Sequence, residues 1–192
     1  IVRWPGVVKP GSVSDALVEY VDIVPTFVDI IGGKPQAKVD GESFKPVLTG
    51  KKKAHKEYSF SLQTTRGINA GSPYYGIRSV YDGRYRYIVN LTPEATFQNV
   101  ETKSPLFKEW KSLAETDSHA KAMTIKYQHR PAIELYDVKN DPYCMKNLAE
   151  DAKQASTISR LDKELKRWMK DCGDEGQPTE MRAFEHMPGK RK

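Results

Sequence analysis

The sequence predicts an α+β fold in which a small antiparallel sheet of about four strands is packed by an amphipathic helix near the C-terminus. Three observations carry this expectation. Runs rich in β-branched and aromatic residues recur at 57–65, 75–81, 84–91 and 133–138, separated by turn residues. Two of them are joined by Asp82-Gly83, a hairpin signal. Ile158, Leu161, Leu165, Trp168, Met169 and Cys172 then fall on one stripe at helical spacing, with charges opposite. Strands clustered before a covering helix, without a regular βα alternation or an internal repeat, belong to the α+β class.

Taken in order, Ile1-Val2-Arg3-Trp4 reads as a strand already under way, with no Met, basic stretch or cleavage site before it, and it stops at the turn pair Pro5-Gly6. The chain is therefore expected to be a piece of a longer protein. Residues 14–21 suit a short strand or approach segment. Asp22 is a natural N-cap for a helix through Ile31, with Pro25 in its first turn and Gly32-Gly33 at its end. Ile23, Val24, Phe27, Val28, Ile30 and Ile31 cover nearly its whole circumference, so burial against a sheet is expected. Asp40-Gly41 makes a turn, and Ser43 opens a short helical turn through Leu48.

In 57–65, Tyr58, Phe60 and Leu62 alternate with polar residues and define an inner face. Asp82-Gly83 predicts a type I′ turn, whose two central residues both need positive φ. Ser104-Pro105 starts a helix with Leu106, Trp110, Leu113 and Ala114 as its apolar face, and 119–129 continues as a second segment stopped by Pro131. After the strand at 133–138 the last helix runs from about Asp151 to Asp171, with Gly173 as its stop. Residues 174–192 read as a polar tail, while the division of the rest, 1–50 as the end of a larger α/β domain and 51–173 as a smaller subdomain, is what the resemblance given below implies.

Composition excludes disordered and collagen-like classes, since 38% of residues are hydrophobic and 29% charged. No apolar run approaches the roughly 20 residues of a membrane helix. The net charge of +6 permits an anionic partner, but much of the excess lies in Lys51-Lys52-Lys53 and Lys190-Arg191-Lys192, the usual composition of loops and tails. Basic residues are not interleaved with aromatics on a platform, so no nucleic-acid partner is expected. Cys144 and Cys172 each stand alone, giving neither a disulfide framework nor a metal site; two unpaired thiols and a single bridge between them are both compatible with the sequence. The four histidines are scattered, and there is no Gly-x-Ser-x-Gly elbow, phosphate loop or paired-carboxylate cluster. No catalytic centre is assembled within the chain.

The segment Leu62–Arg78 stands apart. Gln63, Thr64, Thr65, Arg66, Asn69, Ser72, Tyr74, Tyr75 and Arg78 surround three glycines. Guanidinium donors and aromatic faces beside a Gly-rich loop suit a sugar or an oxyanion. An ordinary connecting loop is the alternative reading of the same residues.

In combination, Ile1-Val2-Arg3-Trp4-Pro5-Gly6, Ser14-Asp15-Ala16-Leu17-Val18, Val21-Asp22-Ile23-Val24-Pro25-Thr26-Phe27, Asp40-Gly41-Glu42-Ser43, Arg84-Tyr85-Arg86-Tyr87-Ile88 and Glu134-Leu135-Tyr136-Asp137 with Asn140-Asp141-Pro142 and Asn147-Leu148-Ala149 resemble consecutive C-terminal blocks of the formylglycine-dependent (type I) sulfatases. They follow in the family's order over residues 1–173. Tyr74-Tyr75-Gly76-Ile77-Arg78-Ser79-Val80, with Asn90-Leu91, is most similar to the N-sulfoglucosamine sulfohydrolase (heparan N-sulfatase) branch.

The resemblance implies the alkaline-phosphatase-like superfamily, with residues 1–50 closing a large α/β domain. It implies a hydrolase of sulfate esters or sulfamates on a sulfated saccharide such as a glycosaminoglycan. Its catalytic formylglycine and calcium would lie in an N-terminal part, because Cys/Ser-x-Pro-x-Arg is absent here: Cys144 precedes Met145-Lys146, and Cys172 precedes Gly173-Asp174. The expected partners are that N-terminal sulfatase domain and the saccharide. Thr65, Arg66, Asn69 and Tyr75 are the expected substrate contacts, Arg66 for a carboxylate or sulfate, whereas Arg78 and Arg86 lie in strands and read as structural. An exported location, periplasmic, secreted or lysosomal, follows from the same resemblance. A non-catalytic basic module for acidic glycans, and a phosphonate or phosphate ester hydrolase of the same superfamily, are the competing readings.

Overall fold

A computed structural model describes residues 1–34, 38–64, 72, 74–183 and 185. The chain divides into two compact units, Ile1–Ser59 with Tyr81–Gly83, and Phe60–Val80 with Arg84–Lys192.

In the first unit, helix α1 spans Ile23–Ile30 and helix α2 Lys45–Leu48. Asp22 stands at the N-cap position, but its carboxylate does not cap α1. It accepts instead from the backbone N–H of Glu19 (2.8 Å) and Glu42 (2.9 Å) and pairs with Lys56 Nζ at 2.7 Å. Thr26 Oγ1 donates to the Asp22 carbonyl and accepts from Phe44 N, so α1 and the segment before α2 are tied through buried polar groups.

Two expectations fail here. Residues 1–4 form no strand, because no described segment supplies a ladder partner; the chain instead turns at Pro5–Val7, with Val7 N and Val8 N donating to Trp4 O. Helix α1 is not sheathed by a sheet either: Pro25 and Thr26 are buried, while Phe27 is 64% exposed and Ile31 82%.

The second unit carries all but the end residues Ser59 and Tyr81 of a four-stranded antiparallel sheet in the order β1-β2-β3-β4: β1 Ser59–Gln63, β2 Ile77–Tyr81, β3 Tyr85–Asn90 and β4 Ile133–Asp137. Register is set by Tyr87 opposite Leu135, both buried. The β2–β3 loop holds three residues, Asp82 to Arg84, with positive φ at Gly83 and not at Asp82. The type I′ turn is thus replaced by a longer loop with one glycine in the left-handed region, the next commonest hairpin solution.

Helix α3 (Pro105–Leu113) is capped by Ser104 Oγ, which accepts from Phe107 N, and α4 (Ser118–Gln128) by Asp117. The inward residue of α3 is Phe107, not the expected stripe of Leu106, Trp110 and Leu113, which is exposed. Phe107 turns its ring to Tyr127 of α4, with centroids 5.5 Å apart, and this aromatic pairing decides the helix rotation. Helix α5 (Ala155–Asp171) lays the expected stripe on the sheet: Leu161 and Leu165 are buried, and Trp168 stacks on Phe60 of β1 at 5.0 Å.

Residues 174–183, read as the start of a polar tail, are folded. They turn at Gly173 and Gly176, both at positive φ, and form helix α6 (Gln177–Met181). Gly176 and Pro178 are the physical reason: a left-handed residue followed by Pro in the first turn is a helix start.

Candidate functional site

The candidate site is the connection between β1 and β2. Thr65, Arg66 and Asn69 lie outside the described residues. Of the expected contacts, Tyr75 is described, together with both flanks of the connection.

On its second flank the connection is pinned to the loop after β3. Ser72, buried, donates from Oγ to Thr96 O at 2.5 Å and from N to Gln98 O at 3.3 Å. Leu91 N donates to Gly76 O at 2.9 Å. Tyr74 sits at φ 57, a left-handed conformation that costs a non-glycine residue roughly 1–2 kcal/mol and persists where the surroundings hold it. Its carbonyl accepts from Thr92 Oγ1 and from Gln177 Nε2, each at 3.4 Å.

Tyr75 is 2% exposed, its ring edge-on to Phe97 with centroids 5.2 Å apart. Phe97 in turn meets Tyr127, and the Arg130 guanidinium lies 4.5 Å over Phe97. The Tyr75 ring therefore has no open face for stacking on a sugar, and it serves as the core beneath the connection. Burial pushes its phenol up, and its enclosed hydroxyl has no hydrogen-bond partner among the described residues. Sequence reasoning could not separate a stacking aromatic from a supporting one, because both occupy loops beside glycines.

The best-built element is the Arg78 guanidinium, which enters the fold one residue into β2 and is 2% exposed. Its Nε and Nη2 both donate to the Asp174 carboxylate, Nη2 also to Glu180 Oε1 at 2.9 Å, and Nη1 to the carbonyls of Gln63 and Ile77 at 3.1 Å each. Burial alone would raise the Asp174 carboxyl. The hydrogen bonds from Arg78 and Gly176 N, with the guanidinium charge, outweigh it and hold the group below its ordinary value. Arg78 is thus a structural cation, as its strand position implied, while Arg86 of β3 is exposed. Gly76 makes this possible by close approach: a Cβ there would stand 2.5 Å from Glu180 Cγ and 2.7 Å from Leu91 Cδ1. Asp174, Gln177 and Glu180 escaped sequence reasoning; the Gly173, Gly176 and Pro178 pattern was the signal that this stretch is ordered.

A second buried polar group lies in β3 and β4. Asn90 Nδ2 donates to Glu134 Oε1 at 2.7 Å and Tyr136 donates to Glu134 Oε2. Burial and this carboxylate push the Tyr136 phenol well above its usual range, so it stays a donor. On the α5 side, Tyr87 donates to Asp162 Oδ1 at 3.1 Å, and burial with that carboxylate again raises the phenol. Both networks pack the sheet, the first leaving Asn90 Oδ1 buried without a hydrogen-bond partner among the described residues.

Among the described residues no three His, Cys, Asp or Glu side chains come together as a metal site, and neither Cys144 nor Cys172 stands in a Cys-x-Pro-x-Arg sequence. These residues do not fit the calcium or the formylglycine of a type I sulfatase, and no step is assigned through either group here.

Residues 1–123 match the family of N-sulphoglucosamine sulphohydrolase C-terminal domains. An ulvan-active sulfatase of Formosa agariphila is 36% identical over 174 residues, covering 91% of this chain and 33% of that protein. Human N-sulphoglucosamine sulphohydrolase is 26% identical over 200 residues, covering 89% of this chain and 38% of that protein. A solved structure in complex with its substrate D-glucosamine-2-N,6-O-disulfate superposes with a TM-score of 0.64 at 20% identity, over 92% of this chain and 29% of that one, a likeness of fold. The chain spans about a third of the length of the curated relatives it matches.

Proposed function

This chain belongs to the family of N-sulphoglucosamine sulphohydrolase C-terminal domains, and on that premise we propose that it is the substrate-shaping C-terminal part of a sulfatase acting on a sulfated saccharide. The bond cleaved is a sulfate ester or a sulfamate. The observation that carries this reading is the alignment of 91% of the chain with an ulvan-active sulfatase at 36% identity. Formylglycine and calcium belong, in this proposal, to the N-terminal portion of the parent enzyme, which is also this chain's structural partner. The apolar side of α1, with Phe27 and Ile31 exposed, is the surface offered to that portion.

The β1–β2 connection is the part of the chain that meets the saccharide. Arg66 supplies bidentate donors for a carboxylate or sulfate oxygen, with Thr65 and Asn69 as hydroxyl and amide partners. Tyr75, being buried, does not stack on the sugar. The test is Arg66→Ala in the parent enzyme, assayed on a sulfated oligosaccharide. Loss of one charge-assisted contact predicts a fall in kcat/KM of roughly ten- to a hundredfold. An unchanged kcat/KM would remove Arg66 from the site, and absence of sulfate release by the wild-type parent from any sulfated saccharide would overturn the function.

A further inference from the structure

We infer that Arg130 is an oxyanion-binding residue, its guanidinium laid on two aromatic rings so that the Nη edge is open to a sulfate or carboxylate group of the saccharide. The inference rests on the reading above that the parent enzyme acts on a sulfated saccharide, and it adds a cation which that reading does not contain.

Four arginines of the second unit, Arg78, Arg84, Arg167 and Arg182, each pair with a carboxylate. Arg130 differs. Its Cζ lies 4.5 Å from the ring centre of Phe97 and 5.7 Å from that of Tyr127, while its Nε donates to Tyr127 O at 3.4 Å. Among the described residues no carboxylate pairs with it, no acceptor meets Nη1 or Nη2, and neither nitrogen is enclosed, so both open on solvent. Glu134 and Glu94 are the acids whose charge is felt, together with that of Arg130, at the Tyr75 phenol. Glu134 already accepts from Asn90 and Tyr136, and Glu94 is exposed.

The support beneath this cation is held from both sides. Phe97 N donates to Gln128 O at 2.7 Å and Gln128 Nε2 to Phe97 O at 3.5 Å, which ties the loop carrying the ring to the end of α4. Asn90 of β3 donates from N to Ala132 O at 2.9 Å and from Nδ2 to Pro131 O at 2.6 Å, fixing the two residues that follow Arg130. A guanidinium stacked on aromatic faces keeps its in-plane donors, is weakly hydrated, and is ordered before a ligand arrives. Its two Nη groups then match two oxygens of a sulfate or carboxylate.

The experiment uses the parent enzyme with alanine at its formylglycine position, so that binding is read by titration calorimetry without turnover. The probe is whichever of a heparin-derived and an ulvan-derived tetrasaccharide the enzyme binds. Arg130→Met keeps the aliphatic stem against the rings and removes the donors, and Kd should rise about ten- to a hundredfold. Arg130→Lys, which keeps the charge without the planar fork, should recover only part of that loss. Lys163→Met, which removes an exposed cation of α5, should change Kd by less than about twofold. Desulfated and carboxyl-reduced forms of the probe identify the group bound: the Arg130→Met loss should vanish with one of them, and the oxyanion missing from that form is the ligand. A loss that persists with both forms, an equal loss in Lys163→Met, or a Kd within about twofold of wild type in folded Arg130→Met would overturn the assignment and leave Arg130 as a clamp on its rings. Should Arg130→Met not fold, Arg130→Lys decides, and a Kd equal to wild type overturns the assignment. Binding of neither tetrasaccharide when Arg130 is intact would overturn the functional reading itself, an outcome distinct from an unchanged Kd in the variants.

Discussion

Arg78→Met tests the energetic account of the buried anchor. Methionine keeps the stem of the side chain and removes the guanidinium, leaving Asp174 and Glu180 facing each other without a cation. Removing one partner of a buried pair costs about 3–5 kcal/mol. An independent bound comes from protonation. A buried, unpaired Asp174 can always take up a proton, at about 1.4 kcal/mol for each pH unit above its unfolded pKa near 3.9, so its penalty at pH 7 is capped at roughly 4 kcal/mol. The two estimates agree.

The cap also gives a pH signature. In the native chain the folded Asp174 carboxyl is depressed, so its contribution is present above the unfolded pKa and lost as pH falls through the lower folded value. Without Arg78, burial raises the same group, and the penalty grows as pH rises from the unfolded value. The stability gap between native and variant chains should therefore be about 3–5 kcal/mol at pH 7 and fall to about a third of that at pH 5. Urea unfolding reports it through Trp110 and Trp168, both in the second unit. Adding Glu180→Gln to Arg78→Met should restore part of the loss. A gap under about 1 kcal/mol at pH 7, or one that does not change with pH, would refute the account.

Two further predictions concern the first unit. Gly41→Ala drives a Cβ into the Val21 carbonyl, a clash with backbone that no rotamer relieves; a cost of roughly 1–3 kcal/mol or more is expected, read as faster proteolytic cleavage within residues 1–59. The Asp22 carboxyl is desolvated, which raises it, but Lys56 and the N–H groups of Glu42 and Glu19 together hold it below its ordinary value. Its contribution is thus present above about pH 4 and lost as pH falls below that. Asp22→Asn should lower Tm at pH 7 and flatten its decline at acid pH, and an equal Tm offset across the range would contradict this.

The strands and the last helix were legible because their signals are local. Tyr85, Tyr87 and Val89 alternate along β3, and Leu161 and Leu165 fall one turn apart on α5, so period alone places them. The rotation of α3 was not legible. Its sequence offers two faces, and the choice of Phe107 over Leu106, Trp110 and Leu113 is made by Tyr127, fourteen or more residues away in another helix. The start of the chain misled for a related reason: Ile1–Trp4 has strand composition, but composition cannot provide the neighbour that a ladder requires. Thr65, Arg66 and Asn69 were singled out on side-chain chemistry, and that chemistry says what could be bound without saying how the loop is held.

How it is held is the part of the site that sequence could least reveal. Arg78 meets acids 96 and 102 residues later, a separation at which no pattern links them. A connection with glycines in its sequence carries more backbone entropy than one without, and contacts from elsewhere in the chain can offset it. An anchor must come from elsewhere in the chain, and it must bind backbone if the loop side chains are to stay available for a ligand. The structure meets both demands: Arg78 and Gln177 grip the carbonyls of Gln63 and Tyr74. The acids that hold Arg78 lie in a stretch whose composition reads as a tail. Polar composition near a chain terminus is therefore weak grounds for assigning disorder when a strand carries an arginine on its buried face, because that cation has to be paired.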